Sequence, residues 1–120
     1  MSKFLVHIHT HPSDATKVTL GCLIALTAAK EGHEVDIFFA GDGVHCLAPD
    51  HIAGTEGLGT GKLADHLPAL TEAGVTFHLS GMSAKARGYD DGLLEGWPAS
   101  FAMPTKLVAL AADADTVLCY

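Results

Sequence analysis

The stretch that decides the fold is residues 75–88, which read Val-Thr-Phe-His-Leu-Ser-Gly-Met-Ser-Ala-Lys-Ala-Arg-Gly. Its apolar first half predicts a buried strand over residues 75–80, and its second half predicts a turn followed by a short helix. Ser80 therefore stands at the carboxyl end of a strand, with Ser83 three residues later. Because an open α/β sheet binds ligands at this end of its strands, we expect Ser80 to border a ligand crevice.

Strands and helices alternate on both sides of this stretch. The apolar pattern predicts strands at residues 3–9, 35–40, 97–101 and 116–119, and helices over about 14–31, 62–73 and 104–112. The strand at 35–40 is apolar on both faces apart from Asp36, which is typical of a strand inside a parallel sheet. The sequence thus predicts the α/β class, as a three-layer α/β/α sandwich around a mostly parallel five-stranded sheet.

Composition indicates one folded domain over residues 1–120. Hydrophobic residues make up 48% and charged residues 18% of the chain, which excludes a disordered protein. The net charge is −7 and there is no run of Lys or Arg, so nucleic acid and anionic membranes are not expected partners. No signal peptide or membrane span is readable, and three widely spaced cysteines form no disulfide framework. A cytoplasmic location is therefore expected.

Residues 51–61 are rich in glycine and predict a mobile loop. Within and beside it, residues 57–62 read Gly-Leu-Gly-Thr-Gly-Lys, which suggests a phosphate-binding loop. That motif requires glycine where Glu56 stands and Ser or Thr where Leu63 stands. The better interpretation is a flexible connection into the next helix.

Several motifs recur in a fixed order along the chain. They are an opening strand with an Ala-rich helix, Glu-Val-Asp-Ile-Phe-Phe at 34–39, Gly43-Val44, Gly74-Val75 before the Ser80 turn, Arg87-Gly88, and Ala-Asp-Ala-Asp-Thr-Val-Leu at 112–118. Together they resemble the DsrE/DsrF-like family of small sulfur-relay proteins over nearly the whole chain. The resemblance implies a flavodoxin-like parallel sheet flanked by helices, assembled into homotrimers or homohexamers.

The resemblance also implies where sulfur chemistry would take place. Active members carry a persulfide on a cysteine eight residues before the glycine of the Arg-Gly pair, and Ser80 occupies that position. Some members have a second cysteine three residues later, where this chain has Ser83. A hydroxyl cannot hold a terminal persulfide sulfur, and no Gly-x-Ser-x-Gly elbow surrounds Ser80 to activate it. We expect both serines to cap the following turn.

Cys46 is the alternative candidate for a catalytic thiol. It follows the second strand and should lie at the same sheet edge as Ser80, where His45 or His51 could lower its pKa. The competing and favoured interpretation is a small buried side chain, because free cysteines are usually buried and inert. Cys22 and Cys119 are predicted to be packing residues.

Eight histidines in 120 residues suggest a third possibility, a metal site. Imidazole and thiolate suit zinc or copper, and the candidate ligands are His9, His11, His45, Cys46 and His51. Their spacing matches no compact zinc motif, so the sequence assigns no metal and no cofactor. His7 and His78, in the middle of strands, are expected to be core or subunit-contact groups.

These considerations give a functional hypothesis with two alternatives. The chain is expected to be a DsrE-like protein of the sulfur-relay type that binds a small molecule or a partner. The alternatives are a sulfurtransferase that uses Cys46, its only expected enzymatic activity, and a histidine-based metal-binding oligomer. Expected partners are further copies of the chain and other sulfur-relay proteins. The predicted crevice is lined by His9, His11, Gly41, Asp42, Val44, Ser80, Gly81, Met82, Ser83 and Arg87.

Arg87 has two interpretations within the predicted crevice. Its guanidinium could hold a carboxylate or a sulfur oxyanion. Alternatively, it forms a structural salt bridge with Asp90, Asp91 or Glu95.

Overall fold

A parallel sheet forms the centre of the computed structural model, which describes residues 1–120. Two short 3₁₀ segments, Gly41–Leu47 and Asp91–Leu94, interrupt the succession of strands and helices. In chain order the elements are β1 (Lys3–Ile8), α1 (Ala15–Lys30), β2 (Glu34–Phe39), α2 (Pro49–Gly54), β3 (Glu56–Gly57), β4 (Gly61–Lys62), α3 (Leu63–Glu72), β5 (Thr76–Ser80), α4 (Gly81–Ala86), β6 (Ala99–Ala102), α5 (Pro104–Asp113) and β7 (Thr116–Cys119).

The main sheet has the strand order β6-β5-β2-β1-β7, and every neighbouring pair is parallel. From β1 to β6 the chain moves steadily in one direction, so right-handed crossovers place α1 and α3 together on one face. The chain then returns past β1 to add β7, which requires α5 to lie on the opposite face. The predicted α/β/α sandwich with a five-stranded parallel sheet is therefore confirmed.

The main hydrophobic core lies between the sheet and the α1–α3 layer. Alternate strand residues, among them Val6, Ile37 and Phe77, point to this face and are fully buried. α1 contributes Val18 and Cys22 to the same cluster of 22 buried residues. Burying each large aliphatic or aromatic side chain stabilises the fold by about 1.5–3 kcal/mol relative to exposure, so this layer is the principal source of stability.

The opposite sheet face is covered more thinly. Parallel register aligns His7, Phe38 and His78 in one row across β1, β2 and β5. Phe38 is fully buried there, yet α5, the helix on this side, has no buried residue of its own. His78 Nε2 lies 2.8 Å from the carboxylate of Asp36, whereas His7 Nε2 and His78 Nδ1 are buried without a hydrogen-bond partner.

The glycine-rich residues 51–61 differ from the predicted mobile loop. They form most of α2 and a small antiparallel hairpin of β3 and β4. Thr19 Oγ1 on α1 lies 2.7 Å from Thr60 Oγ1, and the Leu58 backbone N–H donates to Thr16 Oγ1 at 2.9 Å. These hydrogen bonds attach the hairpin to α1. Position 57 requires glycine, because a Cβ there would overlap the hydroxyls of Thr19 and Thr60.

The chain ends beside its beginning. β7 pairs with β1 on the outer side of the sheet, with Phe4 opposite Thr116 and His7 opposite Cys119. Tyr120 continues this pairing, since its N–H donates to the His7 carbonyl at 2.8 Å. None of the helices is long and apolar enough to cross a membrane.

Candidate functional site

The carboxyl ends of β1, β2 and β5 meet at one sheet edge, because all three strands are parallel neighbours. After β2 the chain turns sharply into the 3₁₀ segment Gly41–Leu47, which crosses the end of β1. Gly43 makes this crossing possible, because a Cβ there would overlap the backbone carbonyl of Ile8. The edge thereby gathers residues that are far apart in sequence.

Ser80 caps α4, as predicted. Its Oγ accepts a hydrogen bond from the Ser83 backbone N–H at 3.2 Å, and only 9% of the residue is exposed. Ser83 plays a different part from the predicted cap: its Oγ accepts from the Gly41 N–H at 2.9 Å. The two hydroxyls thus tie the end of β5 to the end of β2.

Arg87 is bound to the protein itself. Its Nε and Nη2 donate to Asp42 Oδ1 at 3.1 and 2.9 Å, and its Nη1 donates to the Ser83 carbonyl at 3.0 Å. The hydrogen bond from Arg87 lowers the pKa of the Asp42 carboxyl. Asp42 thus takes the place of the predicted partners, Asp90, Asp91 or Glu95. The guanidinium therefore already holds a carboxylate, and that carboxylate belongs to this chain.

The thiols are placed unfavourably for sulfur transfer at this edge. Cys46 is fully buried in the core, and burial raises the pKa of its thiol well above the ordinary value, with Cys22 adding to the effect. Burial also raises the pKa of Cys22 to about 12. A buried, protonated thiol is a poor nucleophile, so the interpretation of Cys46 as a catalytic thiol lacks geometric support. Cys119 is exposed, contrary to the predicted packing role.

Three histidines converge beside the Asp42–Arg87 pair; we call them the histidine triad. They are His11 after β1, His45 in the 3₁₀ segment and His51 in α2. The ring centroids of His11 lie 4.9 Å from His45 and 5.2 Å from His51, and those of His45 and His51 are 5.2 Å apart. All three are half-buried. Two other candidate ligands, His9 and Cys46, are not part of this group.

Tyr89 supports the histidine triad and was not anticipated from the sequence. Its Oη lies 2.6 Å from His45 Nδ1, across 44 residues of chain. Partial burial lowers the pKa of His45, and the neighbouring His11 and His51 lower it further. No local motif around Tyr89 could have indicated a contact that depends entirely on tertiary folding.

The predicted crevice coincides with none of the three cavities of the structure. Within it, Val44 is completely buried while Met82 is 60% exposed. The largest cavity, of about 370 Å³, lies elsewhere; we call it the apolar cavity. It is lined by Leu47, Pro49, Ile52, Ala53, Ala64, Gly92, Leu93, Glu95 and Trp97.

Comparison with known proteins gives a family match over nearly the whole chain. The family model described as DsrE/DsrF-like family matches residues 2–120. Among solved structures, the YchN protein of E. coli superposes with a TM-score of 0.78 at 16% identity, covering 100% of both chains. Likeness at such identity shows the fold alone. No curated protein gives a significant match.

Two further solved structures share this fold. A conserved protein of unknown function from Bacteroides thetaiotaomicron has a TM-score of 0.74 at 12% identity, covering 99% of this chain and 95% of that one. A protein of unknown function from Methanobacterium thermoautotrophicum has a TM-score of 0.71 at 19% identity, with 100% of both chains covered.

Proposed function

Because this chain belongs to the DsrE/DsrF-like family, we propose that it acts in sulfur metabolism as a binding protein of the sulfur-relay type. In this role it recognises a small molecule or a partner protein of the relay. It does not carry sulfur at position 80, where the resemblance places the reactive cysteine of active members. Family membership supports a role in sulfur metabolism. The residues at the carboxyl ends of the strands support the absence of sulfur transfer at position 80.

The observation that carries the proposal is the state of Ser80. Its hydroxyl is nearly buried and accepts a backbone hydrogen bond. A serine needs a general base and an oxyanion site to attack a substrate, and none of its hydrogen bonds is to a histidine. The thiol of Cys46 is enclosed by the core and cannot substitute for it.

The apolar cavity supports the small-molecule part of the proposal. Its volume of about 370 Å³ falls within the usual size range of ligand pockets, and six of its nine lining residues are hydrophobic. Glu95 is its charged group. Such a lining favours a compact, largely apolar molecule with one polar or cationic group.

Mass spectrometry after treatment with a persulfide donor tests the absence of sulfur transfer. The exposed Cys119 would react without specificity, so the experiment uses the Cys119→Ser background. We expect that chain to gain no sulfur atom, because Cys22 and Cys46 are both buried. Adding Ser80→Cys to the same background is expected to create one acceptor thiol, because residue 80 is the N-cap of α4, where the pKa of a thiol is lowered, and it retains some exposure while Cys22 and Cys46 have none. Stable sulfur on Cys46 in the native fold would overturn the proposal.

We further propose that the working form is a homo-oligomer, a trimer or hexamer. The support lies on the α5 side of the sheet, where Met103 before α5, Val108 on α5 and Val117 on β7 are exposed by 56%, 68% and 43%. The partnerless nitrogens of His7 and His78 lie on the same face. Those nitrogens are already enclosed within the chain, so the case for assembly rests on the exposed apolar side chains, which a second copy of the chain would cover.

A further inference from the structure

We propose that His11, His45 and His51 form a binding site for a zinc ion, with a fourth coordination position left open to water. The inference rests on the convergence of the histidine triad and stands independently of any role in sulfur metabolism. Three imidazoles with one open position are an established zinc-binding arrangement in proteins.

The ligand nitrogens of the histidine triad lie almost as close together as zinc coordination requires. One ligand nitrogen from each ring can be chosen so that all three lie within 4.8 Å of one another. Tetrahedral zinc with Zn–N bonds of about 2.0–2.1 Å places its ligand nitrogens roughly 3.3 Å apart. The nitrogens must therefore approach one another by at most roughly 1.5 Å. Rotation of half-buried side chains can supply that movement without displacing the backbone.

Each of the three histidines comes from a separately anchored segment. His11 follows β1, His45 lies in the 3₁₀ segment fixed by the close approach at Gly43, and His51 lies on α2. The sheet edge and core hold these segments together, since Val44 and Leu47 on either side of His45 are buried. The site is therefore a product of the fold, unlike an adventitious pair of histidines on one surface helix.

Tyr89 fits the role of a positioning residue. When His45 ligates through Nε2, its proton must reside on Nδ1, and Tyr89 Oη at 2.6 Å can accept it. Such an outer hydrogen bond fixes both the tautomer and the orientation of a ligating ring. The tyrosine thus supports the form of His45 that binds metal.

His11 requires one local exchange of hydrogen bonds. Its Nδ1 accepts from the Ser13 backbone N–H at 2.9 Å and lies 3.0 Å from Ser13 Oγ. Ligation through Nε2 moves the proton to Nδ1, which then donates to Ser13 Oγ. The Ser13 N–H is exposed and turns to water instead. Ser13 Oγ therefore gives His11 the same kind of acceptor that Tyr89 gives His45.

The surrounding charges are compatible with a cation. The carboxylate of Asp42 compensates the positive charge of Arg87 at a distance of 2.9 Å. Asp50 precedes His51 directly in α2 and adds a negative charge. The formal charge of the whole chain, −7, also favours association with a divalent ion.

Zinc titration by calorimetry tests the site on the full chain, purified without an affinity tag and stripped with a chelator. We expect one zinc ion per chain, and His51→Ala and His11→Gln should each weaken binding at least tenfold. The matched control is His33→Gln, a histidine at the amino-terminal end of β2, which should bind zinc as the unaltered chain does. Circular dichroism establishes that each variant is folded.

Cobalt substitution reports the geometry of the ion. Three imidazoles and water should give the strong visible absorption of four-coordinate Co²⁺, lost in His51→Ala. Tyr89→Phe is expected to weaken zinc binding about 10–100-fold and to shift these bands, an effect that a purely structural role would not produce. The proposal fails if the unaltered chain binds no zinc, or if the triad variants bind it as tightly as His33→Gln does.

Discussion

At the scale of single residues, Ser80 and Arg87 limit the chemistry that is available at the carboxyl ends of the strands. Ser80 occupies the end of β5, makes a capping hydrogen bond and is only 9% exposed, and a hydroxyl at this position cannot hold a persulfide sulfur. For Arg87 the sequence left two interpretations open, an anion site and a structural salt bridge, and the structure shows a salt bridge, with Asp42. The local residues therefore favour recognition over covalent chemistry.

A substitution at Gly43 tests the close approach between the 3₁₀ segment Gly41–Leu47 and the end of β1. Gly43→Ala would force a Cβ against the Ile8 carbonyl, so we expect a loss of about 1–3 kcal/mol in the free energy of unfolding. Gly54→Ala is the matched control, because nothing lies within 4 Å of its added Cβ, and we expect a change of at most about 1 kcal/mol. Urea denaturation measures both. Equal effects of the two substitutions would contradict the close approach.

His7 makes stability depend on pH. Burial lowers its pKa from the ordinary 6.5, with His9 adding to the effect, so the folded chain binds fewer protons than the unfolded chain below pH 6.5. The stability due to neutral His7 is therefore present above that pH and is lost as pH falls through 6.5 toward the lower folded value. We expect the free energy of unfolding to decrease over this range.

His7→Phe should reduce that dependence, because phenylalanine keeps a ring against Phe38 and cannot be protonated. Part of the slope will persist, since the pKa of His45 is also lowered. Denaturation series from pH 7 to pH 5 in the presence of a chelator provide the comparison. A slope identical to that of the unaltered chain would exclude His7 as a contributor.

Some residue roles could be predicted from sequence and others could not. The capping role of Ser80 follows from a serine between a strand and a helix, a relation over three residues. The partner of Arg87 is Asp42, 45 residues away, and a tertiary contact of that kind leaves no local trace. The histidine triad had the same limitation: its members were candidates, but only folding selects them from His9 and Cys46.

At the scale of elements, hydrophobic periodicity predicted all five main-sheet strands close to their observed bounds. It succeeded because each strand has an alternating or continuous apolar pattern fixed by one or two buried faces. The hairpin of β3 and β4 escaped prediction for a physical reason. It is held by threonine hydroxyls of α1 and by glycines that allow close approach, features that look like a flexible loop in sequence.

The elements around the apolar cavity allow a direct binding test. Trp97 is the only tryptophan of the chain and lines the cavity, so its fluorescence reports occupancy. We expect a neutral apolar dye such as N-phenyl-1-naphthylamine to quench Trp97 in a saturable manner, since the charged group of the cavity, Glu95, would repel an anionic dye. Ala64→Leu should weaken this at least tenfold by filling the cavity from α3, whereas Ala86→Leu on α4 should have no effect. Quenching insensitive to Ala64→Leu would place the dye elsewhere.

At the scale of the whole molecule, the uneven covering of the sheet predicts assembly. We expect analytical ultracentrifugation to show a trimer or hexamer, and Val108→Lys to dissociate it by placing a charge on the exposed side of α5. Leu58→Lys is the control, because Leu58 is 91% exposed on the hairpin, away from that face. The single chain has a Cα radius of gyration of 12.9 Å. If the unaltered protein sediments as a monomer of this size, the proposed oligomer is refuted.

The layered architecture itself was predictable, because right-handed crossovers leave few ways to arrange alternating strands and helices. The sequence pattern could not show that one layer would be a single helix without buried residues. Exposed apolar positions on α5 look like core positions in a periodicity analysis, since both satisfy the same spacing. The well-covered face of the sheet can be told from the thinly covered face only in the folded structure, where the helices packed on each face are visible.

Pairing of β7 with β1 has a consequence during synthesis on the ribosome. The nascent chain can join β1 to β2 early, but the outer edge of β1 has no neighbour until residues 116–119 have emerged. Unpaired strand edges recruit other chains, so a stalled or truncated nascent product would be prone to aggregate. Once β7 has paired, it becomes the edge strand, and its four residues expose a shorter row of unpaired backbone groups than the six residues of β1 do.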